Sequence, residues 1–278
     1  MLPEAAAGVT GRFLGRVDAA LPGLVKGFYL VGSIALGGFR PGRSDIDFVA
    51  TLGRPLSAAE VAALRRVHRR CYAEGMLRAA AHARPWPLLC NGVFLREADL
   101  ASPPGAVRAM ARQVAGTFDV GKAFDVNPVT WWTLAHGGVP VRGPAPERLA
   151  IHLDDAALRD WTAANLVSYW RPWADAVAGG GIAAWRRRLT QVHARRLAAW
   201  GVLGTARMHA TIRTGTVISK EQAGEYALGV FGDRWHPVIH DALDYWRGLP
   251  ARPGRGSRAL RAETAAFVTH VVHIAGAV

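Results

Sequence analysis

Two carboxylates two residues apart, Asp45 and Asp47, open the apolar run Ile46 to Leu52 of this 278-residue chain. On a strand, residues i and i+2 share a face, so both carboxylates point one way while Ile46 points into the core. Neighbouring carboxylates repel unless a cation lies between them. Mg2+ suits such a pair, because it takes oxygen ligands, usually only one or two protein carboxylates, and fills its other positions with water and substrate phosphates. Just upstream, the apolar run FYLV ends in Gly32-Ser33. Glycine there permits close approach of the backbone, and the serine hydroxyl can bond a phosphate oxygen. The residues Ile34 to Gly38 can then form a short helix whose N-terminus faces the same place with its N–H donors. A lone Gly-Ser is a common turn and a lone Asp-x-Asp is often a helix cap. Joined by a short helix and a polar loop between two strands, they read as a phosphate cradle with a metal pair, which is nucleotide chemistry.

The elements that must position these residues follow from periodicity. Strand-like runs cover Lys26 to Val31, Ile46 to Leu52 and Leu88 to Leu95. Between the last two, Ser57 and Glu60 form a capping box, and Val61, Leu64, Val67 and Cys71 recur at helical spacing. The segment Val139 to Pro146 carries three prolines and a glycine and reads as a connection. Beyond it the chain reads as consecutive helices: from Asp154 or Asp155 through Trp170, then Ala183 to Trp200, Ala206 to Arg213, Ser219 to Val230, Trp235 to Arg247 and Arg258 to Ile274. Two domains are expected, 1–150 and 151–278. The fold class is α+β, a mixed sheet with helices followed by an all-α bundle. The tryptophans Trp161, Trp170, Trp173, Trp185, Trp200, Trp235 and Trp246 are expected to pack between the helices rather than to stack bases.

Composition narrows the function classes. Half the residues are hydrophobic and 20% charged, which excludes a disordered chain. No apolar stretch reaches the roughly 20 residues of a membrane-spanning helix, and the first 31 residues carry charges that interrupt any signal-peptide pattern. Two cysteines, Cys71 and Cys90, build no disulfide framework. A cytoplasmic protein is expected. The net charge of +13 suggests an anionic partner. Its distribution says more than its total: from Ala176 to Lys220 there is no acid, while Arg186, Arg187, Arg188, Arg195, Arg196, Arg207, Arg213 and Lys220 all fall there.

The stretch Phe28 to Ala50, FYLVGSIALGGFRPGRSDIDFVA, resembles the Gly-Ser to Asp-x-Asp signature of polymerase-β-like nucleotidyltransferases. Within them it is most similar to the aminoglycoside nucleotidyltransferases, antibiotic-resistance enzymes that adenylylate streptomycin and spectinomycin. ARMHATIRTGTVISKEQAGEYAL, Ala206 to Leu228, looks like that group's C-terminal helical domain, with Arg207, a Thr214-Gly215 turn and Lys220 opening the next helix. The connection VRGPAPERL, Val141 to Leu149, and the stretch Trp235 to Arg247 are also similar. The resemblance implies that Asp45 and Asp47 hold the metal and carry the catalysis. It also implies that Gly32, Ser33 and Ser44 position phosphates, and that Arg207 and Lys220 reach the nucleotide across a cleft between domains.

Two departures from the family pattern stand out. The group's third carboxylate, a glutamate on a later strand and the base for the acceptor hydroxyl, has no counterpart in Leu88 to Val93, and Glu97 and Asp99 lie just beyond. Its aspartate about ten residues before the arginine, which holds the cationic antibiotic, is Leu197 here, preceded by Arg195 and Arg196. An arginine-walled pocket repels an aminoglycoside. The expected activity is therefore a Mg2+-dependent transfer of AMP from ATP to a hydroxyl of a small molecule that is not a typical aminoglycoside. The alternative is a protein of the same fold that binds a nucleotide or another anion without transferring it. Nucleic-acid binding rests on net charge alone and is the weakest of the three readings.

Overall fold

The structure is a computed structural model that describes residues 2–84, 86–179 and 191–275. They fall into two compact units, dividing after Asp154.

The first unit is built on a mixed six-stranded sheet in the order β5-β4-β3-β2-β1-β6. Strands β1 (Val25–Leu30), β2 (Ile46–Leu52) and β3 (Cys90–Arg96) form its middle. β1 runs antiparallel to β2, and β2 parallel to β3. A parallel pair needs a long crossover, and here it is the helix α3 (Ala58–Ala81), which starts at Ser57 with a capping box to Glu60. Helix α1 (Glu4–Ala20) joins α3 on one face of the sheet. There Phe13, Phe28, Phe48 and Phe94 stack in one core with Ile46, Ala50 and Leu52. The other face buries Tyr29, Val31, Val49, Val93 and Leu95 under Trp131 and Leu134, both from α4 (Pro128–Gly137). Cover on both sides explains why β2 and β3 read as near-continuous apolar runs.

Helices α1 and α4 and three strands of this unit are absent from the sequence reading. Strands β4 (Ala109–Val114) and β5 (Thr117–Gly121) extend the sheet beyond β3. The segment Val139 to Pro146, expected to be a connection, opens instead with β6 (Val139–Arg142), an edge strand antiparallel to β1. Proline is tolerated on an edge, where no ladder N–H is required of it, and Arg142 is tied to Asp18 of α1 at 2.6 Å. The short helix after β1, α2, spans Gly32–Ala35 rather than Ile34 to Gly38.

The second unit is helical. α5 (Asp155–Asn165) passes into one π-turn, Leu166–Trp170, and then α6 (Arg171–Ala178). α7 (Gln191–Thr214) is one helix where two were expected; the start of the expected Ala183 to Trp200 helix, with Trp185 and Arg186 to Arg188, lies outside the described residues. The gap between the two expected helices, 201–205, holds Gly201 and Gly204, which are packing positions: a Cβ at 201 would stand 2.6 Å from the Trp173 ring, and one at 204 would stand 2.7 Å from Trp170. α8 (Lys220–Val230), α9 (His236–Arg247) and α10 (Ser257–Ala275) complete the unit. The indoles of Trp170, Trp173 and Trp200 meet edge or face at 5.5 and 5.7 Å, and Trp235 packs on Phe267. Among the described residues no helix is long and apolar enough to cross a membrane.

Candidate functional site

Strand directions bring the two halves of the Gly-Ser and Asp-x-Asp pattern together. β1 ends where its antiparallel neighbour β2 begins, and the Val31 N–H bonds the Asp47 carbonyl at 2.9 Å. Gly32 follows at φ +58°, a left-handed conformation that glycine adopts without strain. A Cβ at this position would overlap Asp47 Oδ2 and stand 3.1 Å from its Cγ. The missing side chain is therefore the space in which the Asp47 carboxylate sits. Asp47 is half-buried, and Asp45, just before the strand, is exposed.

Ser33 lies on the first turn of α2, and its Oγ is buried with no hydrogen-bond partner. A buried hydroxyl left unsatisfied is costly, of order 1–3 kcal/mol, unless something else completes it. Ser44, expected to position phosphate, also ties its own loop: its Oγ accepts the Arg40 N–H at 3.0 Å and its own N–H donates to the Arg40 carbonyl at 2.9 Å. Buried in this way it fastens the loop that delivers Asp45.

The register of the parallel pair puts Asn91 beside Asp47 on the same face. The Asn91 side chain is buried, and its Oδ1 accepts the Ala115 N–H at 2.9 Å in the turn between β4 and β5. Gly92 pairs with Gln113, so the sheet continues at this level with Val114 and its partner Thr117, neither of them an acid. Glu97 and Asp99 do not fill the gap. They follow β3 at its other end, opposite Leu52, roughly 20 Å along the strand from Asn91. Asp99 is moreover engaged by the backbone N–H and guanidinium of Arg96. Cys90 points to the opposite face, where burial pushes its thiol up to about 12 and keeps it protonated.

Among the described residues no group of three or more His, Cys, Asp or Glu side chains could hold a metal. What is present is the Asp47 carboxylate against Gly32, with Asp45 two residues before it and the unsatisfied Ser33 hydroxyl on the residue after Gly32. That donor set fits Mg2+, which leaves most of its positions to water and phosphate oxygens.

In the second unit, Arg207 stands half-buried on α7, two turns beyond Trp200. Gly215, at φ +71°, turns the chain, and Ser219 caps α8 with Gln222, which places Lys220 at the first helical position. The Lys220 ammonium lies 4.9 Å from the ring centre of Trp200 and 4.5 Å from that of Trp246, a cation held over two indoles. This clamp carries no signature in the sequence, since its three residues come from three helices. Arg195 does not wall a pocket as expected: it is buried, donates to the carbonyls of Leu249 and Pro250, and lies over the Tyr245 ring.

Residues 12–79 match the family model of the nucleotidyltransferase domain, and residues 180–273 match that of the aminoglycoside adenylyltransferase C-terminal domain. Comparison with curated proteins finds no match. Among solved structures, the spectinomycin adenyltransferase AAD(9) from Enterococcus faecialis, determined with ATP and spectinomycin, is similar over 96% of this chain and 99% of its own, with a TM-score of 0.64 at 13% identity. That likeness concerns the fold. Both family models, matched in this order on a mixed sheet followed by a helical unit, support a place for the chain in the aminoglycoside nucleotidyltransferase family.

Proposed function

We propose that the protein transfers AMP from ATP, with Mg2+, to a hydroxyl of a small molecule that is not a typical aminoglycoside. The observation that carries this reading is the buried, unpartnered Ser33 hydroxyl next to Gly32, whose lack of a Cβ holds the Asp47 carboxylate in place. In the reaction the acceptor oxygen bonds the α-phosphorus as the bond to pyrophosphate breaks. Mg2+, when bound, supplies the positive charge that lets two carboxylates and a polyphosphate share one place. Asp45 and Asp47 would hold it, Ser33 donates a hydrogen bond to a phosphate oxygen, and Arg207 and Lys220 offset charge as it moves onto pyrophosphate.

A second reading, nucleotide binding without transfer, is favoured by one observation: the position beside Asp47 is an amide, Asn91, whose carbonyl oxygen is already taken. Incubation with ATP, Mg2+ and a panel of hydroxylated metabolites and antibiotics, read by mass spectrometry for an added nucleoside monophosphate, separates the two. A modified acceptor establishes transfer. ATP binding with no product across the panel establishes the second reading.

A further inference from the structure

On the sheet face opposite Asp47, α1 and α3 leave a cavity of about 610 Å³ against the start of β3 and the β4–β5 turn. This volume lies within the range of small-molecule sites, about 300 to 1,000 Å³. Its wall is cationic. Arg12 and Arg84 line it, and among the described residues neither makes an ion pair. Arg16 and Arg78 also line it and are engaged by Glu74, while Glu4 is the one carboxylate on the wall. His68 belongs to the same wall and is nine-tenths buried, yet its Nε2 has no hydrogen-bond partner. A hydrogen bond to the Gly116 backbone acts to raise the His68 pKa, as a ring N–H donating to a carbonyl does, while burial outweighs it and lowers the pKa. The Tyr72 ring and Leu89 supply apolar surface.

We propose that this cavity is a second ligand site, separate from the Asp45 and Asp47 pair, for an aromatic acid. The acid group meets Arg12 and Arg84, and the ring lies against Tyr72 and Leu89. Inorganic phosphate lacks the ring, and a neutral aromatic alcohol lacks the charge.

The test uses the full chain and 2-naphthoate, titrated by its own fluorescence, with 2-naphthol and inorganic phosphate as comparisons. Access is followed by iodoacetamide alkylation of Cys71, which lines the cavity. Cys90, with its thiol pushed up to about 12, does not compete. Saturable binding that protects Cys71 is expected. Arg12→Ala with Arg84→Ala, both surface positions, should weaken it about ten-fold or more. 2-Naphthol and phosphate should not protect. Asp47→Asn should leave binding unchanged, which separates this site from the nucleotide reading. Absence of protection, unchanged affinity in the double arginine variant, equal binding of 2-naphthol, or loss of binding in Asp47→Asn each overturns the proposal.

Discussion

The Asp47 carboxylate occupies the space where a side chain at Gly32 would begin, with its Cγ 3.1 Å from the ideal Cβ position. Gly32→Ala therefore does two things: it strains a left-handed backbone, at about 1–2 kcal/mol, and it drives the carboxylate away. Gly37 separates the two effects, because it is also left-handed, at φ +65°, but has nothing within 4 Å of its Cβ position. Both alanine variants should melt a few degrees lower. Only Gly32→Ala should also lose about ten-fold or more in Mg2+-dependent ATP affinity, and equal losses of affinity in the two would remove Asp47 from the nucleotide site.

Asp45→Asn and Asp47→Asn should each abolish Mg2+-dependent ATP binding while leaving the melting temperature within a few degrees. Asp45 is exposed and Asp47 half-buried at the edge of the sheet, so neither holds the core. Thermal melts beside ATP titrations with and without Mg2+ decide it. Binding that persists in both variants would end the metal assignment.

Lys220 sits over Trp200 and Trp246, and this gives its variant two readouts. If the ammonium serves phosphate, Lys220→Met should weaken ATP about ten-fold or more, as should Arg207→Ala. If it serves only the indoles, Lys220→Met should lower stability by about 0.5–2 kcal/mol and leave ATP affinity intact. The expectation is the first outcome, measured by calorimetric titration alongside denaturant unfolding.

The Gly32 to Asp47 end of the sheet is legible in the sequence because its pattern is local: Gly32, Ser33, Asp45 and Asp47 lie within sixteen residues, and the strands and helix around them carry clear periods. Strand β2 was read to the residue, and α3 was given away by its Ser57–Glu60 box. The rest depended on partners far away in the chain. β6 is a strand only because β1 offers it an edge, since its own sequence, Val-Pro-Val-Arg, reads as a linker. In the gap between the two expected helices, Trp170 and Trp173 fill the space that Gly201 and Gly204 leave. Ser44 reads as a phosphate ligand by type, and its bond to Arg40 is a matter of loop geometry that spacing does not reveal. For Arg195, charge was legible and direction was not.

Stability should fall as the pH drops below about 6.5. Burial holds His68 below the ordinary imidazole value, and burial together with Arg213 and His270 does the same for His209. An unfolded chain takes up protons at these rings near pH 6.5 while the folded chain resists. Their contribution is thus fully present above that pH and is lost as the pH falls toward and through the folded values. Melting temperatures from pH 8 to pH 5 should show the decline, and His68→Phe should make it shallower whatever its absolute stability. An unchanged slope would mean that His68 does not titrate differently on folding.

Streptomycin and spectinomycin should be poor substrates or none. Arg195 turns toward the carbonyls of Leu249 and Pro250 and so adds little charge against a cationic acceptor. The missing base is the larger obstacle. At the level of Asp47 the neighbouring strands offer Asn91, Val114 and Thr117, and the acids Glu97 and Asp99 lie at the far end of β3. General-base assistance is typically worth about 10² to 10⁴-fold, and nothing on this part of the sheet supplies it. Asn91→Asp probes the point directly. An aspartate can still accept the Ala115 N–H, so the turn is kept, while a carboxylate is added beside Asp47. The like charge and burial raise its pKa, so any gain in turnover should grow as the pH rises through that pKa. Nucleotidyl transfer to either antibiotic, followed by mass spectrometry at ordinary enzyme concentrations, should be near background in the natural chain and higher in Asn91→Asp. Efficient transfer by the natural chain would show that an acid from elsewhere takes the proton, and the acceptor would then have to be sought among the aminoglycosides after all.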